Sequence, residues 1–128
     1  MAFGHIWLSP NIESVDPQKA MYKLQAGITI ATDVPTGYYT LEALVSLGDL
    51  DIEKDHVLSF SDMRGQVVAQ YNMSASELRK AGITGRSINL EVELKNIRVY
   101  PGRQEIRCSL DDTIIDTFPL EFLVKSVK

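Results

Sequence analysis

Residues 39–47 read Tyr-Thr-Leu-Glu-Ala-Leu-Val-Ser-Leu. Tyr39, Leu41, Ala43, Val45 and Leu47 occupy every second position, with Thr40, Glu42 and Ser46 between them. Side chains of an extended strand point alternately to its two faces, so this spacing lays one apolar row against a core and one polar row toward water. The stretch predicts a half-buried strand.

The same period recurs on either side. Tyr22, Leu24, Ala26, Ile28 and Ile30 form a second row, separated from the first by Asp-Val-Pro-Thr-Gly at 33–37, a segment with turn chemistry. The two rows are expected to be a hairpin or a neighbouring pair. Further rows fall at Leu58 and Phe60; Val67, Ala69 and Tyr71; Ile88, Leu90, Val92 and Leu94; Ile106, Cys108 and Leu110; and Leu120, Phe122 and Val124. With the apolar segment 3–8 this makes about eight strands.

The joints carry their own signals. Asp62-Met-Arg-Gly65 suits a tight hairpin with glycine at positive φ, and Tyr100-Pro-Gly-Arg103 suits a type II turn in which Pro101 presets φ and Gly102 takes the positive value. Asp111-Asp112 breaks the next pair, and Pro119 marks an edge or a strand start because it has no N–H to give to a ladder. One segment departs from the strand pattern. Ser74 as N-cap, Glu77 as its capping-box partner, Gly82 as the stop, and Met73 with Leu78 as a hydrophobic staple predict a short helix over 75–81. The row from Ile88 to Leu94 changes parity at Lys95-Asn96 and resumes at Ile97 and Val99, which implies a bulge or a change of sheet. Many short strands, short turns and one apolar face per strand point to an all-β fold: a two-sheet antiparallel β-sandwich forming a single domain over 1–128.

The stretch Val99-Tyr-Pro-Gly-Arg-Gln-Glu-Ile-Arg-Cys-Ser-Leu-Asp-Asp-Thr-Ile-Ile, with the strand at 89–97 before it, resembles the last hairpin of small bacterial immunoglobulin-like sandwich proteins of unknown function. The resemblance covers the last third of the chain and implies an immunoglobulin-like or related topology. Gln104 stands where that pattern has an aromatic, and Asp111-Asp112 replaces Asp-Gly.

Composition bounds the function. At 128 residues, 45% hydrophobic and 23% charged, the chain has ordinary globular usage and can bury a core without metal or disulfide. A net charge of −4 with scattered Lys and Arg lacks the basic footprint a phosphate backbone demands, so nucleic acid is not an expected partner. No apolar run has the length of a membrane span, and the amino-terminal residues lack the pattern of a signal peptide. The single cysteine, Cys108, sits on the apolar parity of its strand and is read as a small buried hydrophobe. A cytoplasmic protein is expected.

No Gly-x-Ser-x-Gly elbow, phosphate loop or metal-ligand spacing is present; His5 and His56 stand far apart, and no enzyme activity or cofactor is expected. Two groups of residues remain. Tyr38 and Leu44 fall on the polar parity of their strand, Val68 does so on its own, and Trp7 lies in the apolar segment at the amino end. If these faces are exposed, they offer an interface for another protein or a second copy; if both faces are covered, the residues are core. The alternative is a loop binding calcium or a small ligand through Asp49, Asp51, Glu53 and Asp55, with Asp111, Asp112 or Asp116 in support, although Lys54 stands where an EF-hand needs glycine.

Overall fold

The computed structural model describes residues 3–9, 13–16, 21–23, 27–32, 38–80, 87–99 and 102–124. Within them the elements run β1 (Phe3–Ser9), β2 (Glu13–Asp16), β3 (Met21–Lys23), β4 (Ile28–Thr32), β5 (Tyr38–Gly48), β6 (His56–Ser61), β7 (Val67–Met73), α1 (Ala75–Lys80), β8 (Ile88–Arg98), β9 (Gly102–Leu110) and β10 (Thr113–Val124). A three-stranded sheet has the order β1-β5-β8 and a five-stranded sheet the order β4-β10-β9-β6-β7, while β2 pairs with β3. The all-β sandwich read from the sequence is the fold observed. The residue-pattern turns at Pro101 and Gly82 lie wholly or partly outside the described residues, as does the segment 33–37.

The alternation at 39–47 is what builds the core. Leu41, Ala43, Val45 and Leu47 of β5 are buried to 1% exposure or less and share one cluster with Ile6 and Leu8 of β1, Leu58 and Phe60 of β6, Ile106 and Cys108 of β9, and Phe118, Leu120 and Phe122 of β10. Tyr39 meets Phe122 edge-on with ring centroids 5.9 Å apart, joining the two sheets at the end where β5 begins. Full burial of one such side chain stabilises the fold by about 1.5–3 kcal/mol, so the facing rows are the main source of stability.

Local signals at the joints also hold. Gly65 has φ of 81° and closes the β6–β7 turn, its N–H donating to the Asp62 carbonyl, while Asp62 Oδ1 accepts the N–H groups of Arg64 and Gln66. Gly102 opens β9 with φ of 99°. The Ser74 hydroxyl accepts the Glu77 N–H at 3.0 Å, and Met73 and Leu78 are both buried, which anchors α1 at its start. In β8 the parity shift is a bulge: Tyr39 pairs with Ile97 and Leu41 with Leu94, so Lys95 and Asn96 together stand opposite Thr40.

Four expectations need correction. The row 22–30 is not one strand beside β5. It contains parts of β3 and β4, and β4 joins the other sheet, pairing with β10 in register from Leu120↔Ile28 to Val124↔Thr32. That pairing is parallel, so the sandwich is not wholly antiparallel. Pro119 lies within β10, an interior strand, yet the β4 ladder begins one residue later at Leu120, and among the described residues β10 up to Pro119 is laddered to β9 alone. Of the two valines that open β7, Val68 is the inward one, at 7% exposure, and Val67 is thrown outward at 61%. The cause is a register shift, since Phe60 pairs with Ala69 and Ser61 with Val67, leaving Val68 as the extra residue of a bulge.

Gly4 is required by close packing between β1 and its neighbours. A Cβ there would lie 2.8 Å from the Ser46 carbonyl oxygen and about 3 Å from Leu47 and Ile115 side chains. The backbone oxygen cannot turn aside, so Gly4→Ala is expected to destabilise the domain by about 1–3 kcal/mol in a urea melt, with the secondary structure unchanged below the transition.

Candidate functional site

The residues singled out from the sequence fall into two places. Outward parity on the three-stranded sheet brings Trp7, Leu44 and Tyr38 to one face, with Leu44 directly opposite Trp7 on β1 and Glu91 on β8. Tyr38 is 69% exposed and Trp7 half-buried, but Leu44 retains only 3% exposure. Val68 is on the other sheet and is buried. Leu44 and Val68 therefore present almost no surface to a partner, for different reasons: Leu44 sits on the central strand between two neighbours, and Val68 is turned inward by its bulge. Tyr38 and the exposed part of Trp7 remain.

The loop 49–55 turns two of its carboxylates, Asp51 and Asp55, to local structure. Asp51 Oδ1 accepts the Glu53 N–H at 3.0 Å and its Oδ2 lies 3.9 Å from the Lys54 ammonium, while Asp55 Oδ1 accepts the Ala75 N–H at 2.9 Å, tying the loop to the start of α1. Asp49 has φ of 55°. Among the described residues no group of three or more His, Cys, Asp or Glu side chains converges as a metal site would require. The arrangement gives no support to a cation bound by Asp49, Asp51, Glu53 and Asp55.

What the loop does hold is His56. Its ring is 8% exposed, and both nitrogens are engaged: Nδ1 donates to Asp111 Oδ2 and Nε2 to the Asp51 carbonyl, each at 2.6 Å. A carboxylate and a carbonyl only accept, so the geometry calls for the imidazolium, which carries a proton on each nitrogen. Burial alone pulls the His56 pKa down; the Asp111 hydrogen bond, the Asp51 carbonyl and the charges of both aspartates outweigh it and raise it above 6.5. Burial in the same way pushes Asp111 up, and its bonds to His56 and the Val57 N–H more than reverse this, holding its carboxyl below 3.8. Asp111 is placed by the β9–β10 turn, where Asp111 and Asp112 have φ of 50° and 68°, the conformation of a two-residue hairpin turn with both central residues left-handed. The turn's double aspartate was the only signal in the sequence; the pairing across more than fifty residues was not.

The third feature lies on one open side of the sandwich. Strands β7 and β8 are edges of opposite sheets, and between them runs a groove of about 600 Å³ lined by Ala69 and Tyr71 on one wall and Glu91, Glu93, Lys95 and Asn96 on the other. The Tyr71 hydroxyl crosses it and donates to the Glu93 carbonyl at 2.5 Å. That bond fixes an orientation. In an antiparallel ladder the N–H and C=O of one residue point the same way, so the backbone groups of Glu93, and of Glu91 at the same parity, face the groove and not β5. Glu42 and Glu93, directly opposite one another in the register, then form a close pair without ladder bonds between them. The other side of the sandwich is closed by a side chain: Asp116, at a bulge in β10, accepts the Ile6 N–H at 2.7 Å through Oδ2 and the Thr117 N–H through Oδ1.

Cys108 is fully buried, and loss of water together with the nearby charge of Asp116 pushes its thiol up to about 12, which leaves it a packing residue. No helix among the described residues is long and apolar enough to cross a membrane. Comparison with known protein families finds none that matches, and no curated protein matches the chain.

The ion pair makes stability depend on pH in a defined window. A histidine raised by folding contributes fully below its unfolded value near 6.5 and loses that contribution as pH rises through its folded pKa. Asp111, depressed by folding, contributes fully above 3.8 and loses it as pH falls through its own folded pKa. Urea midpoints are expected to fall between pH 6 and pH 9, and His56→Gln is expected to flatten that slope.

Proposed function

We propose that the chain is a non-enzymatic interaction module, an immunoglobulin-like sandwich or a near variant, that binds another protein along its open β7–β8 side. The observation that carries this reading is the groove-facing backbone of β8: Glu91 and Glu93 point N–H and C=O groups into a groove of about 600 Å³ with no strand pairing there among the described residues. Unpaired edges are templates for an added strand, and proteins that do not use them blunt them with charges, prolines or bulges or cover them. Within 88–98, β8 contains no proline.

The strand order supports the immunoglobulin-like reading. With β1, β5 and β8 taken as A, B and E, the neighbours β10-β9-β6-β7 follow as G-F-C-C′, the arrangement in which the second sheet gains a C′ strand beside C. The parallel strand β4 beside β10 is an addition to that order. Self-association is the form of the reading in which the partner is a second copy. A cytoplasmic setting is in keeping with a chain whose single cysteine is held as a buried thiol.

Glu91→Pro deletes one groove-facing donor while leaving the β5 ladder bonds in place, and proline is tolerated at such edge positions. Affinity capture of partners by the wild-type chain is expected to be lost with Glu91→Pro and kept with Tyr38→Ser on the outer face. A partner retained by Glu91→Pro and lost with Tyr38→Ser would move the interface to the outer face of the three-stranded sheet.

A further inference from the structure

Resting on that reading, we infer that the occupant of the β8 edge is an extended segment of another protein carrying Lys or Arg at alternate positions, and that the Tyr71 hydroxyl holds its place until it arrives. The charge along β8 selects this partner. Glu91 and Glu93 share the outward parity beside the open edge, and Glu42 stands directly opposite Glu93 on the inner flank. Glu91 and Glu93 have no ion-pair partner among the described residues. An added strand with basic residues across from Glu91 and Glu93 sets opposite charges against them, a stabilising cross-strand pairing.

A second copy paired through the acidic stretch is disfavoured on the same ground. Antiparallel pairing of β8 with β8 about a two-fold axis centred on Glu91, Val92 or Glu93 sets Glu91 against Glu91, Glu91 against Glu93, or Glu93 against Glu93. A centre moved to Leu94 would match Glu93 with Lys95, but the bulge at Lys95 and Asn96 interrupts the ladder at that point. The basic pattern is therefore expected opposite Glu91 and Glu93 and to end at the bulge.

Tyr71 occupies a place the incoming strand needs. The Glu93 carbonyl is the acceptor an added strand must use, and the phenol already bonds it. The ring itself is held by Phe60, edge-on at 6.3 Å, so loss of the hydroxyl leaves its packing intact. An arriving N–H takes over the carbonyl and the hydroxyl returns to water.

The test is selection from a random display library of peptides about eight residues long, roughly one strand length, followed by anisotropy titration of the enriched sequences. Enriched peptides are expected to carry Lys or Arg at alternate positions and to bind less tightly as salt is raised. Double substitution Glu91→Lys with Glu93→Lys is expected to weaken them about tenfold or more. Backbone N-methylation of the same peptides, which keeps charge and removes donors, is expected to weaken them to a similar degree, about tenfold. Tyr71→Phe is expected to tighten binding about two- to tenfold, since it removes the internal competitor. Enrichment of peptides without alternate basic residues that still depend on β8 donors and are lost with Glu91→Pro would overturn this inference and leave the edge-binding reading standing. Basic peptides indifferent to N-methylation would overturn it as mere surface charge. No enrichment at all, with a chain whose melt is normal, would overturn both.

Discussion

The structure depends on the meeting of two apolar rows across the inter-sheet space. Leu41, Ala43, Val45 and Leu47 on β5 face Leu58, Phe60, Ile106, Cys108, Phe118, Leu120 and Phe122 on the opposite sheet, and nearly all are withdrawn from water. Because side chains alternate strictly along a strand, a slip of one residue would turn such a row out to solvent. That penalty fixes which face of each strand is inner. Where the chain must change phase it inserts a residue, at Lys95-Asn96 in β8, at Val68 in β7 and near Ile115 in β10. The bulges keep the core rows in step.

Two sheets held only by their inner faces have open sides, and this chain treats its two sides differently. On the β1–β10 side, the Asp116 carboxylate takes the Ile6 N–H, a charged acceptor on a backbone donor at 2.7 Å. Such bonds are stronger than neutral ones. On the β7–β8 side the neutral phenol of Tyr71 reaches across a groove. The contrast is one of replaceability: a neutral hydroxyl yields to an incoming N–H at small cost, whereas displacing Asp116 would strand a carboxylate. At one end of the sandwich the His56 imidazolium binds the loop 49–55 to the β9–β10 turn through Asp51 and Asp111. Of the carboxylates that make that end look like a cation loop, Asp51 accepts the Glu53 N–H beside Lys54 and Asp55 accepts the Ala75 N–H.

The fold class was legible because it is written in local period. Alternation at 39–47 and 106–110 marks strands, Ser74 with Glu77 marks a helix start, and Gly65 marks a left-handed turn, each decided by the geometry of a few neighbouring residues. The candidate site was legible only in part. Tyr38 and Trp7 keep exposed surface, but Leu44 and Val68 do not, and parity alone could not separate them. Parity says which face a side chain takes; whether that face is covered depends on strands distant in sequence. Val68 was further disguised by a register shift set by the pairing with Phe60 and Ser61.

By itself, then, the sequence determined most of the strands, the turn at Gly65, the short helix after Ser74 and the phase change in β8, because φ, ψ preference and two-residue alternation are properties of neighbours. Only the tertiary structure decided that β4 lies parallel to β10, that β8 is left as an edge with Glu91 and Glu93 facing a groove, and that His56 meets Asp111. These are pairings between segments far apart along the chain. Their energies come from which surfaces meet after the strands exist, and no local pattern encodes which strand will lie beside which.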